Sequence, residues 1–151
     1  MDHTKNYGKL ALMFILHLGA MYVLMYAMVD TFAHALPNHN QFYMAALMAA
    51  PMVVLELLIM GSMYPNKKFN VGIIAIGVLV LALSFFLIRE QVAIGDEQFL
   101  RSMIPHHAGA ILMCEKANLE DTQIKELCGN ILKGQQAEIE WMETKLDTIG
   151  G

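Results

Sequence analysis

The stretch Val71–Ile88, VGIIAIGVLVLALSFFLI, contains no charged side chain. A helix rises about 1.5 Å per residue and needs roughly 20 apolar residues to cross hydrocarbon, so this run reads as a transmembrane helix. Toward the N-terminus lie two more runs of the same kind, Leu10–Val29 and Phe42–Tyr64. Residues 1–89 carry as acids only Asp2, Asp30 and Glu56, and as bases only Lys5, Lys9, Lys67, Lys68 and Arg89. The overall 56% apolar composition and net charge of −4 therefore average two unlike regions, a lipid-like front (1–89) and a polar, acidic tail (90–151). A single soluble domain is excluded. The first run follows Lys5 and Lys9 as a signal peptide would, but it lacks an Ala-x-Ala-like exit site followed by a soluble mature domain, so it reads as a retained span.

Orientation follows from the short flanks. Lys5 and Lys9 precede the first run, and Lys67 and Lys68 separate the second from the third. The positive-inside rule makes that side cytoplasmic, and three spans put the loop Asp30–Gln41 and the tail on the opposite face. The expected setting is a bacterial inner membrane, multi-pass, with a periplasmic C-terminal domain.

The tail has the period of helices rather than strands. Gly95-Asp96 offers a helix start, and Phe99, Leu100, Met103, Ile104, Ala108, Ile111 and Leu112 recur at helical spacing to about Ala117. Pro105 lies inside this helix, frees the carbonyl of Arg101, and predicts a kink or restart beside His106. After Asn118–Thr122, capped by Asp121 or Thr122, a second helix carries Ile124, Leu127, Cys128, Ile131, Leu132, Gln135, Glu138, Ile139 and Met142 to about Thr148, before Gly150-Gly151. A short connection makes the two antiparallel. The register then sets Cys114 opposite Cys128, His107 opposite Gln135, Met103 near Glu138 and Leu100 opposite Met142. Two helices alone bury little, so a second copy completing a four-helix bundle is the economical solution. The expected fold class is all-α: three transmembrane helices, then an antiparallel helical hairpin in a homo-oligomer.

The residues Asp96-x-x-Phe99-x-x-x-Met103-Ile104-Pro105-His106-His107-x-x-Ala110-Ile111-x-Met113, followed by Ile131-x-x-x-Gln135-x-x-Glu138-Ile139-x-x-Met142, resemble the domain of unknown function 305 family, a ferritin-like helical group. The resemblance covers roughly residues 94–148. It implies an exported helical protein, of a kind some of whose members bind copper through Met and His and support copper tolerance. It carries over Met103, His106, His107, Met113, Gln135, Glu138 and Met142 as metal positions. A general activity does not follow from it.

The front adds donors of its own among the thirteen methionines. Met13, His17, Met21, Met25 and Met28 follow at four- or three-residue steps in the first span, as do Met44, Met48, Met52, Glu56, Met60 and Met63 in the second. Such steps keep side chains on one slowly drifting face. Thioethers are soft, neutral ligands suited to Cu(I), while hard ions need oxygen cages. Against ligation stands the packing role of methionine, a flexible filler between helices. His17 and Glu56 sit at membrane depth, where an ionisable group requires a partner, a cavity or an ion path, and a His17–Glu56 contact would serve as well for structure as for transport. His17, Met21, Met25, Met28, Met44, Met48, Met52 and Glu56 thus form a candidate second metal path.

His106 and His107 point about 100° apart on a regular helix and do not readily share an ion. His107 pairs better with Met103, with Glu138 or Gln135 as ligand or orienting neighbour. His3, His34 and His39 read as ordinary surface residues, though Asp30, His34 and His39 share the exported face. Cys114 and Cys128 would join as a disulfide in an oxidising compartment or serve as two thiolate ligands, and both readings stay open.

The expected function is a non-enzymatic, membrane-anchored protein that binds copper, Cu(I) before other soft or transition metals, for sequestration, tolerance or delivery. Its partners would be the metal ion, the lipid bilayer and further copies of itself. A metal transporter or channel subunit and a metal-free structural module are the alternatives. A di-metal oxidase would need Glu-x-x-His pairs, and no Glu lies three residues before any histidine. Phosphate loops, nucleophile triads, HExxH motifs and basic nucleic-acid stripes are absent from the sequence.

Overall fold

The computed structural model describes residues 3–149, with side chains from Lys5 onward. The terminating Gly150-Gly151 and the side chain of His3 lie outside the described residues. Among these residues the fold is all-helical: α1 (His3–Leu24), α2 (His39–Ile59), α3 (Lys67–Arg89), α4 (Asp96–Lys116) and α5 (Thr122–Ile149), with 3₁₀ turns at Met25–Met28, Phe32–His34 and Gly61–Met63. Three segments are long and apolar enough to cross a membrane, Lys5–Met28, His39–Ile59 and Lys67–Arg89.

The second span ends earlier than its apolar run. Tyr64 precedes Pro65, which disfavours helical geometry at the residue before it, and Tyr64 adopts φ −120°, ψ 83° after the Gly61–Met63 turn. The third begins earlier than its run because the Asn66 side chain accepts a hydrogen bond from the Phe69 amide at 3.1 Å and caps α3.

The chain divides into two compact units, one made of residues up to Leu24 with Asn40–Val92, the other of Met25–His39 with the chain from Ala93 on. In the first, Leu10, Val53, Leu57 and Tyr64 form a core joined by Tyr7, Phe14, Met52, Ile73 and Ile74. Ala45, Ala49 and Ala50 are buried along α2, and Gly77 of α3 lies so close that a Cβ there would stand 3.0 Å from Val54 Cγ2. Small residues permit such approach where hydrophobic contrast with lipid is missing.

In the second unit α4 and α5 form an antiparallel hairpin around Leu100, Ile104, Ala108, Ile111, Ile139 and Met142. Asp96 and Glu97 occupy the first turn of α4, where carboxylates complement the helix dipole. Asp121 caps α5 by accepting from the amides of Gln123 and Ile124 at 2.8 and 3.1 Å. The segment Met25–His39, expected as a loop, is part of this core: Val29 and Leu36 pack into it. Helix α4 continues through Pro105 with no restart. The Arg101 carbonyl that Pro105 leaves unbonded accepts from Asn38 Nδ2 of that same segment at 3.4 Å. The connection into α4 holds Gln91 and Ala93 at positive φ, 49° and 57°. A reciprocal amide pair between Gln91 and Asn40, at 3.0 and 3.2 Å, fixes the former.

Candidate metal site

Helix α4 turns its apolar stripe into the hairpin core, and His107, next to Ala108 on that stripe, is carried to the flank facing α5 and is only 8% exposed. Its Nδ1 lies 2.9 Å from the Met103 carbonyl oxygen, one turn earlier. A carbonyl only accepts, so Nδ1 donates to it, and Nε2 faces away from that carbonyl toward α5. Nε2 lies 2.7 Å from Glu138 Oε2. The two sit in an open groove lined by Phe99, Leu100, Met103, Ala137, Trp141 and Met142. Four of the sequence-derived positions are thus gathered: Met103, His107, Glu138 and Met142, the last buried in the core at the groove's floor.

Gln135, which simple register counting sets opposite His107, is half-buried one turn away. Glu138 takes its place because the antiparallel register relaxes by about a turn between the Cys114–Cys128 level and the middle of the hairpin. His106 and Met113 are not in the groove. Both are exposed, and the two histidine rings stand 6.2 Å apart with planes at 63°, so they serve different surroundings.

Cys114 and Cys128 are joined as a disulfide with a Cα–Cα separation of 5.3 Å, and no thiolate is available from them in this form. His34 is bonded through Nδ1 to Asp30, and its Nε2 lies 3.6 Å from Glu143 on α5. His39 Nδ1 contacts the Ala93 carbonyl oxygen at 3.2 Å. These two histidines tie the Met25–His39 segment to the hairpin.

In the first unit the antiparallel register is marked by Asn6 bonding to the Met63 carbonyl at 3.0 Å and Gln41 to that of Tyr22 at 3.3 Å. It sets Glu56 level with Tyr7–Leu10, and His17 near Met48, roughly 12 Å apart along the axis. Glu56 lies in the last turn of α2 and accepts a hydrogen bond from Tyr64 at 3.2 Å. A His17–Glu56 pair is therefore not formed, because α2 ends short of its apolar run. His17 lies with Lys9, Met13 and Ala20 on a lateral groove of α1, while Met21, Met25 and Met52 are half-buried and Met44, Met48 and Met28 exposed. Along the same register Met13, His17 and Met21 run level with Met52, Met48 and Met44.

Among the described residues, no group of three or more His, Cys, Asp and Glu side chains converges as a metal cage would require. That donor set does not suit a hard ion or a structural zinc. The groove's set is one imidazole nitrogen, one half-buried thioether and one carboxylate, which fits a soft ion of low coordination number. The sequence placed Phe99 on the apolar stripe of α4 and gave Trp141 no role; both are groove walls, 49% and 63% exposed.

The family described as "Domain of unknown function (DUF305)" matches residues 87–146. An uncharacterized protein, L153 of Acanthamoeba polyphaga mimivirus, is 37% identical over 110 residues, covering 72% of this chain and 70% of the relative. That alignment is longer than the family match, so the likeness reaches into the apolar front. No solved structure matches.

Proposed function

The chain belongs to the domain of unknown function 305 family, and from that premise we propose that it is a membrane-anchored copper-binding protein, not an enzyme, whose hairpin holds Cu(I) at Met103 and His107. The observation that carries this is the groove itself: a buried imidazole whose Nδ1 is fixed by a backbone carbonyl, a thioether one turn away, and Glu138 on the facing helix. On binding, His107 Nε2 would exchange Glu138 for the metal, leaving the carboxylate as third ligand or as an orienting acceptor. Soft donors select Cu(I) over the harder ions of the cell.

We place the hairpin on the exported face, periplasmic in a bacterial inner membrane, with Lys67 and Lys68 cytoplasmic. The packing of Val29 and Leu36 into the hairpin core supports this, since the α1–α2 connection and the chain after α3 must then share a side. The disulfide fits an oxidising compartment. Self-association into a four-helix bundle would cover Phe99 and Trp141. Sequestration or delivery of copper follows from a site open to solvent on one side.

Competition of the detergent-solubilised chain for Cu(I) against a chromogenic chelator tests the reading. In the Met103→Leu, His107→Gln double variant the groove's ion should be bound at least about 100-fold more weakly, since even an orienting neighbour is worth 10–100-fold. Unchanged affinity would refute the groove as the site. A transport reading is favoured by one observation, the level alignment of Met13, His17 and Met21 with Met52, Met48 and Met44. Copper flux into proteoliposomes that vanishes on substituting Met48 and Met21 with Leu would establish it.

A further inference from the structure

His106 and Met113 do not join the groove, and Met28 lies outside the residues that the family covers. The hairpin unit nevertheless brings all three to one place. The 3₁₀ turn Met25–Met28 lies against α4 at Gly109: a Cβ there would stand 3.5 Å from the Met28 carbonyl oxygen and 3.8 Å from the Met28 Cβ. On the surface of α4, His106 and Met113 are the neighbours of Gly109 three residues before and four after it, with Cβ atoms about 5–6 Å away. Two flexible thioethers and an imidazole therefore start from around one bare glycine.

Packing does not explain these methionines. A filler methionine is buried, whereas Met28 is 50% and Met113 54% exposed, and His106 is exposed as well. Neutral sulfur donors around an accessible imidazole make a poor site for a hard cation and a good one for a soft monovalent ion. The absence of a side chain at Gly109 admits the backbone of the Met25–Met28 turn, and so brings Met28 between the positions of His106 and Met113.

We propose that Met28, His106 and Met113 form a second, surface site for Cu(I), distinct from the groove of Met103 and His107. It accounts for the adjacent histidines, which point about 100° apart: His107 serves the groove and His106 another flank of α4. Met28 belongs to the same unit as His106 and Met113. The inference takes only its choice of metal from the reading above, and the two sites fail separately.

The test is the number of Cu(I) ions held per full-length chain in detergent, measured anaerobically against a chelator, for the parent and for M28L, M113L and the M103L/H107Q groove variant. The parent should hold two. M28L and M113L should each hold one, as should the groove variant, and M28L combined with the groove variant none. Met113 is exposed enough that M113L folds even if M28L loosens the turn, and retained helicity with an intact disulfide verifies both. If M28L and M113L keep the parent's count while the groove variant loses an ion, the surface site is wrong and the groove stands. If the groove variant keeps the count while M28L and M113L lose an ion, the surface site stands and the groove falls.

Discussion

His107 and Glu138 meet across the hairpin, Nε2 to Oε2 at 2.7 Å, although 31 residues separate them in the chain. The pair joins a side chain that is 10% exposed to one that is 60% exposed, and the asymmetry predicts how each responds to substitution.

Glu138→Ala should lower hairpin stability by less than about 1 kcal/mol, because an exposed partner is screened by water. His107→Ala should cost more, about 2–3 kcal/mol, by leaving a gap beside Ile104 and Ala108. Hydrogen exchange of the α4 amides measures both, and equal effects would show that the imidazole is not packed as described.

The disulfide closes a separation of 14 residues at the hairpin's turn. Loop closure of that length is worth about 3 kcal/mol in the chain-entropy account. Cys114→Ser with Cys128→Ser should therefore speed exchange most in the last turn of α4 and the first turns of α5. The unreduced parent should show no free thiol in denaturant, and two free thiols would contradict the bond.

Gly77 and Gly72 lie on the same helix with opposite surroundings. A Cβ at Gly77 meets Val54 Cγ2 at 3.0 Å, while one at Gly72 meets nothing within 4 Å. Gly77→Leu should lower the unfolding temperature of the detergent-solubilised protein clearly, and Gly72→Leu should leave it nearly unchanged. A reversed order would place the α2–α3 contact elsewhere.

Topology predicts opposite reporter signals. Alkaline phosphatase fused after Ile149 should be active in a bacterial host and inactive when fused after Asn66. The inverse result would put the hairpin in the cytoplasm and remove the oxidising compartment that the account invokes.

Much of this was legible because it depends on local signals. The uncharged Val71–Ile88 run declares a span by length, and the stripes of Leu100, Ile104, Ala108 and Ile111 declare a helix face by period. Asp121 announces its cap by residue type. What escaped is non-local. Nothing in Val29 or Leu36 says that an irregular connection will enter the core of a hairpin some sixty residues later in the chain, or that Asn38 will satisfy the carbonyl that Pro105 frees. Hydropathy also overran the end of α2. Apolar residues continue to Tyr64, but Gly61 and Pro65 end the helix, and this moves Glu56 from mid-span to the last turn, where Tyr64 partners it. In the hairpin, counting from the turn gave the faces but missed the contact by about one helical turn, Gln135 for Glu138.

Copper binding at the hairpin is tested most directly by copper K-edge absorption and metal count of the Cu(I)-loaded full-length protein in detergent. A shell of both sulfur and imidazole nitrogen is expected, with one copper fewer per chain in the Met103→Leu, His107→Gln variant. A shell of oxygen and nitrogen alone, or a copper count unchanged in that variant, would contradict this reading.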